Sequence, residues 1–159
     1  MPAFPALCVR RDGAVAVARG ATALCRADAR QAIGLERLGM RLFDSNGRLF
    51  VAARQVVTAP TTRVGLLLAN WLGWPVRLHL RLTDQGAVSL EGMKAVVVQS
   101  ARAHPEWFDE CVGIPHAWWL EWVMAACDHR QLNERLAGMG LEWEDRPAAG
   151  CAPRSPWPG

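Results

Sequence analysis

The side chains best equipped for chemistry crowd into one stretch: Cys111, His116, Cys127, Asp128 and His129. Thiolates and imidazoles ligate zinc, and a cysteine beside a histidine is the core of a nucleophilic site. The spacing tests both ideas. On a continuous helix, His116 and Cys127 share a face but sit about 16 Å apart along the axis. Ligand bonds are only about 2.0–2.3 Å long, so one ion cannot bridge them. Asp128 and His129 are adjacent and point about 100° apart. Cys111 lies on the other side of Gly113. These residues therefore read as packed thiols and partly exposed imidazoles. No metal, cofactor or catalytic residue is assigned. A small enzyme using Cys111 or Cys127 with a histidine stays open as an alternative.

The chain carries no GxSxG, Walker A, GxGxxG or HExxH pattern. Carboxylate pairs such as Glu106/Glu110 and Glu142/Glu144 do occur. Acid–base work would require one member of a pair to be buried. The best basic feature is Arg77, His79 and Arg81, alternating with Val76, Leu78, Leu80 and Leu82. On a strand this puts three basic groups on one face, about 6.7 Å apart. Such a row suits the phosphates of a nucleic acid, and Arg41, Arg48 and Arg54 are candidates to extend it. A simpler account lies within the chain. Glu142 and Glu144 alternate with Leu141 and Trp143, so a strand there could lie beside residues 76–82 and neutralise the row through cross-strand pairs.

The run His116-Ala117-Trp118-Trp119-Leu120-Glu121-Trp122 opens a helix predicted over 115–137. Stepping 100° per residue puts Trp118, Trp122, Ala125, Leu132 and Leu136 on one stripe. Trp119, Leu120, Val123 and Met124 make the first three turns apolar around most of the circumference. Such a helix is either enclosed by its own chain or offers a face to a partner. Trp118, Trp119, Leu120 and Val123 are the candidate partner-binding residues. Trp71 and Trp74 are expected to pack against them in the core.

The elements that would position these residues follow from local signals. Leu7–Arg10 and Ala14–Arg19 read as two strands joined at Asp12-Gly13, and residues 22–33 as a short helix. Leu38–Phe43 and Arg48–Val57 flank Asn46-Gly47, which favours a hairpin. Thr61 or Thr62 caps a helix stopped by Gly73 and Pro75. The body of that helix, Val64–Leu72, is apolar almost all round and is expected to be buried. Ser89 caps a further helix to about Ala103, despite its Val96-Val97-Val98 run. Leu141–Asp145 reads as a last short strand.

The order of elements gives an α+β fold: an antiparallel sheet of four to five strands, covered on one face by the helices 62–73, 90–103 and 115–137. Its 159 residues suit one domain, read as 1–145, with a Pro/Gly-rich tail at 146–159 expected to be disordered. Half the residues are apolar, enough for a core. Arginine supplies all but one of the 18 basic residues, and tyrosine is absent, which reads as the coding bias of a GC-rich bacterial genome. The net charge of +3 hides an asymmetry, +8 over residues 1–82 and −5 over 83–159. Five cysteines without CxxC spacing argue for reduced thiols rather than a disulfide framework. No stretch reaches the roughly 18–20 apolar residues of a membrane span. The leading expectation is a cytoplasmic, non-catalytic binding protein of adaptor, inhibitor or toxin-immunity type, whose partner is another protein or a second copy of itself. Polyanion binding through Arg77, His79 and Arg81 is the alternative.

Overall fold

The computed structural model describes residues 1–105, 116–141 and 143. The fold is α+β. Its strands are β1 (Ala6–Val9), β2 (Val15–Ala18), β3 (Arg26–Ala27), β4 (Arg41–Phe43), β5 (Arg48–Ala59) and β6 (Val76–Ala87). They form one sheet in the order β2-β1-β4-β5-β6-β3, every neighbouring pair antiparallel. The helices among the described residues are α1 (Ala21–Leu24), α2 (Ala29–Ile33), α3 (Arg63–Leu72), α4 (Leu90–Ala103), α5 (His116–Met124) and α6 (His129–Gly138). None is long and apolar enough to cross a membrane.

Local chemistry sets most of these elements. Gly47 adopts φ +74° in the β4–β5 turn, and the Asp44 carboxylate accepts the N–H groups of Asn46 and Arg48. A Cβ on Gly47 would also stand 2.7 Å from the His129 ring, so glycine is required there twice over. Thr62 and Ser89 cap α3 and α4 through their hydroxyls. The Val96–Val98 run lies inside α4, where Val97 is fully buried and tertiary packing overrides the β-branched preference.

Three expectations are corrected. Residues 22–33 are not one helix: β3 separates α1 from α2, and Asp28 caps the second. The 115–137 helix is also two. The chain breaks after Met124, and Asp128 starts α6 by accepting the Gln131 N–H at 2.7 Å. The helices do not share one face of the sheet either. On one face α4, α5 and α6 close over Leu7, Val9, Val15, Val17 and Phe43, burying Met93, Val97, Trp119, Val123, Leu132 and Leu136. On the other face Leu24 and Met40 pack with Cys8, Leu42, Phe50 and Ala52. There, too, α2 and α3 meet Val76 and Leu78 through Ala29, Ala32 and Ala69.

Arg37 ties the second face together. It is almost fully buried, and its guanidinium donates to the carbonyls of Leu24 and Arg26 and stacks 4.8 Å from the Trp143 ring. Its backbone N–H donates to the Gln55 side chain at 3.1 Å.

Candidate functional site

Among the described residues of that stretch, Asp128 and His129 serve the local structure. Asp128 is spent on the α6 cap. Cys127 is exposed, and its backbone N–H, one residue before the Asp128 cap, donates to Gln131 Oε1 at 2.7 Å. His129 Nε2 sits 2.9 Å from the Val88 carbonyl. Cys111 and the side chain of His116 lie outside the described residues, as do Glu106, Glu110, Glu142, Glu144 and the 146–159 tail. Among the described residues no three His, Cys, Asp or Glu side chains gather as a metal site requires. Cys8 is sealed in the sheet, where burial pushes its thiol from 9.0 up to about 12, far from a reactive thiolate.

The tryptophan helix α5 is core for half of its proposed binding residues. Trp119 is 2% exposed and Val123 0%, both packed against α4, α6 and the sheet. Leu120 is half-buried against the same cluster, and only Trp118 stands in solvent. Lys94 fixes the end of the helix, donating from a buried Nζ to the Met124 carbonyl at 2.9 Å. A partner therefore cannot reach Trp119 or Val123 without opening the fold, which corrects the surface expected from the sequence.

Trp118, Trp122 and Met124 of α5 are exposed, but the longer exposed apolar stripe lies on α3, which was expected to be buried. Val64, Leu67, Leu68, Trp71 and Leu72 follow i, i+3, i+4, i+7, i+8 spacing and form a single stripe. That stripe points away from the protein. Trp71 is 81% exposed, Val64 66% and Leu67 65%. Trp74, just beyond the helix, is 60% exposed. Contact with the body runs through the small Ala69 and part of Leu66, against the alanines of α2 and the start of β6. The ends of α3 are firmly set. Thr62 Oγ1 accepts the Gly65 N–H at 3.0 Å, and Gly73 closes the helix at φ +67°. A Cβ on Gly65 would fall 2.8 Å from Pro60, so glycine lets the chain turn tightly into the helix. This is a well-defined helix that presents its apolar side outward.

The basic row also turns out differently. Arg77, His79 and Arg81 are exposed on one face of β6. The expected neighbour is not there: Val17 of β2 exchanges backbone bonds with Leu141 and Trp143, at the far edge of the sheet from β6. Across from Arg77 stands Arg26 of β3, across from Arg81 stands Arg54 of β5, and across from His79 stands Val56. Arg54 thus does extend the row, as the sequence suggested. Arg48 does not, being paired with Asp84 at 2.5 Å. Arg41 is exposed on β4, opposite Val51. Register carries the row onto the same sheet face that α4, α5 and α6 cover over β1, β2 and β4, and no described helix covers the β5–β6–β3 half of that face.

Comparison of the chain with protein-family models, with curated proteins and with solved structures finds no match in any of the three.

Proposed function

We propose that the protein is a non-catalytic interaction module, working in the cytoplasm, that assembles through α3 and Trp74, and that the occupant of this face is a second copy of the chain. The observation that carries the reading is the outward apolar stripe of α3. Val64, Leu67, Leu68, Trp71, Leu72 and Trp74 together expose on the order of 700 Å². A stable interface of standard size takes about 800 Å² from each partner, and pairing two such faces comes close to that size. The stripe itself bears no charge, and the only charged residue on α3 is Arg63 at its start. A two-fold axis crossing α3 at right angles sets it antiparallel to its copy and keeps the two Arg63 side chains at opposite ends. Tryptophan at the centre of such a contact supplies the large, rigid anchor typical of energetic hot spots. The cytoplasmic setting draws on the unpaired thiols of Cys8, Cys25 and Cys127.

Light scattering on the full chain, across a dilution series, tests the reading. The wild type is expected at the mass of two chains and Leu67→Asp/Trp71→Asp at the mass of one, with circular dichroism unchanged and a thermal midpoint equal to that of the wild type diluted to its monomer. Leu67→Ala/Trp71→Ala, which adds no charge, should weaken the dimer without abolishing folding. A wild type that stays monomeric at every concentration overturns the proposal, and so does a double-aspartate variant that folds and still pairs.

A further inference from the structure

We infer that the β5–β6–β3 half of that sheet face, carrying Arg26, Arg54, Arg77, His79 and Arg81, is a binding site for the phosphate backbone of a double-stranded nucleic acid, read without regard to sequence. The site is distinct from α3, which packs on the opposite face of the same strands.

The first argument is the pairing of like charges. Arg26 stands directly across from Arg77, and Arg54 directly across from Arg81. Like charges at such positions repel and weaken a sheet. All four arginines are exposed, and none is ion-paired among the described residues. Elsewhere the same chain does pair its arginines: Arg48 with Asp84, Arg10 with Asp12 and Arg130 with Glu134. Two cross-strand arginine pairs without counter-charge among the described residues make sense where the counter-charge comes from a ligand.

The second argument is geometry. Residues two apart on β6 lie about 6.7 Å from one another, and the flanking strands lie about 4.8 Å to either side. The result is a two-dimensional grid of guanidinium groups on a rigid sheet. A guanidinium fork grips phosphate oxygens through two parallel hydrogen bonds. Five basic groups on this grid can follow several consecutive phosphates.

The third argument selects the form of nucleic acid. Proteins that hold single strands stack the bases on aromatic side chains. No aromatic residue is among the cross-strand partners of this row; Val56 and Ala59 stand there instead. Among the described residues the row offers charge and no stacking platform, which fits the outside of a duplex and leaves base identity unread.

Fluorescence anisotropy tests the inference, with the full chain titrated into a labelled duplex of mixed sequence at several salt concentrations. With about four to five phosphates neutralised, log K should fall against log salt with a slope of about −4. Arg54→Gln/Arg77→Gln/Arg81→Gln should bring that slope to about −1 to −2 and weaken binding at low salt by at least ~10-fold. The triple variant is expected to be at least as stable as the wild type, because it removes repulsion. The α3 variant Leu67→Asp/Trp71→Asp should still bind the duplex, keeping this outcome separate from that of the dimer. Absence of binding at low salt overturns the inference, as does binding that the three glutamines leave unchanged. Tighter binding of poly-glutamate or of phosphatidylserine vesicles than of duplex also overturns it, since the grid would then serve an acidic protein or a membrane surface.

Discussion

The molecule carries two tryptophan-bearing helices, α3 and α5, and the one expected to be buried throughout is the more exposed. Helix α5 packs three tryptophans into one run, yet it sends Trp119 and Val123 into the core, under α4 and α6. Helix α3 is apolar almost all round, yet only Ala69 among its residues is buried. The difference lies in what each can pack against. Helix α5 meets two other helices over the β1–β2–β4 end of the sheet, a three-helix layer wide enough to enclose a large ring. Helix α3 sits at the end of the long β5–β6 pair, where the short α2 supplies only alanines. A small-on-small contact brings α3 close to the body without covering its larger side chains. Apolar composition thus places a residue in some interface, while the neighbouring elements decide whether that interface is internal.

Replacing the large ring at each site separates the two roles most sharply. Trp119→Ala should cost about 3–5 kcal/mol, because it removes a buried indole and leaves a cavity among α4, α6 and the sheet. Trp71→Ala should change the stability of the isolated monomer by less than about 0.5 kcal/mol, since its indole already stands in water. Urea titrations at a concentration low enough to keep the chain monomeric would measure both. Equal losses at the two positions would erase the distinction drawn between the helices.

The sheet face that carries α3 is not loose as a whole, and Cys8 gives a way to show it. Burial raises its thiol from 9.0 to about 12. A raised thiol pKa means that the unfolded chain gives up its proton first. The stabilisation is therefore complete below pH 9.0 and is lost as pH climbs toward 12. The slope is at most about 1.4 kcal/mol per pH unit. Cys8→Ala should be less stable than the wild type at pH 7 but should lose less between pH 9 and 11. Parallel slopes for the two proteins would mean that water already reaches the face beneath α1.

How much of this was legible in the residues depends on the range of the interaction. The hairpin at Asn46-Gly47, the Ser89 cap and the Gly73 stop act within four residues and match the sequence, and of Thr61 and Thr62 it is Thr62 that caps α3. The break inside 115–137 was legible too and went unread. Asp128 with Gln131 three residues later is a capping pair, outweighed by an apolar period running through 116–137, which holds no proline or glycine. Sheet order was not legible. Leu141 and Trp143 alternate with acidic neighbours as a partner for β6 would, but which edge they join is decided by the path of the whole chain. That choice left the arginine row without its expected counter-charge. The direction in which α3 faces was equally hidden, because a periodic stripe records an apolar side and not what covers it.

The smallest effects sharpen the contrast at the helix starts. Thr62, Ser89 and Asp128 each accept one backbone N–H, at 3.0, 3.1 and 2.7 Å. Loss of such a cap costs about 1 kcal/mol when the helix unfolds with the rest of the protein. Helices α4 and α6 are bound into the core, so Ser89→Ala and Asp128→Ala should lower global stability by about that amount. Helix α3 touches the body through little more than Ala69 and Leu66, and among the described residues no side-chain hydrogen bond joins it to another element. Thr62→Ala should therefore act locally. Amide exchange across 63–72 is expected to quicken by about 5-fold, while the urea midpoint of the monomer shifts less than for the other two caps. A Thr62→Ala midpoint that falls as far as that of Asp128→Ala would show α3 unfolding together with the core, and would make its exposed stripe part of the cooperative unit rather than a separable face.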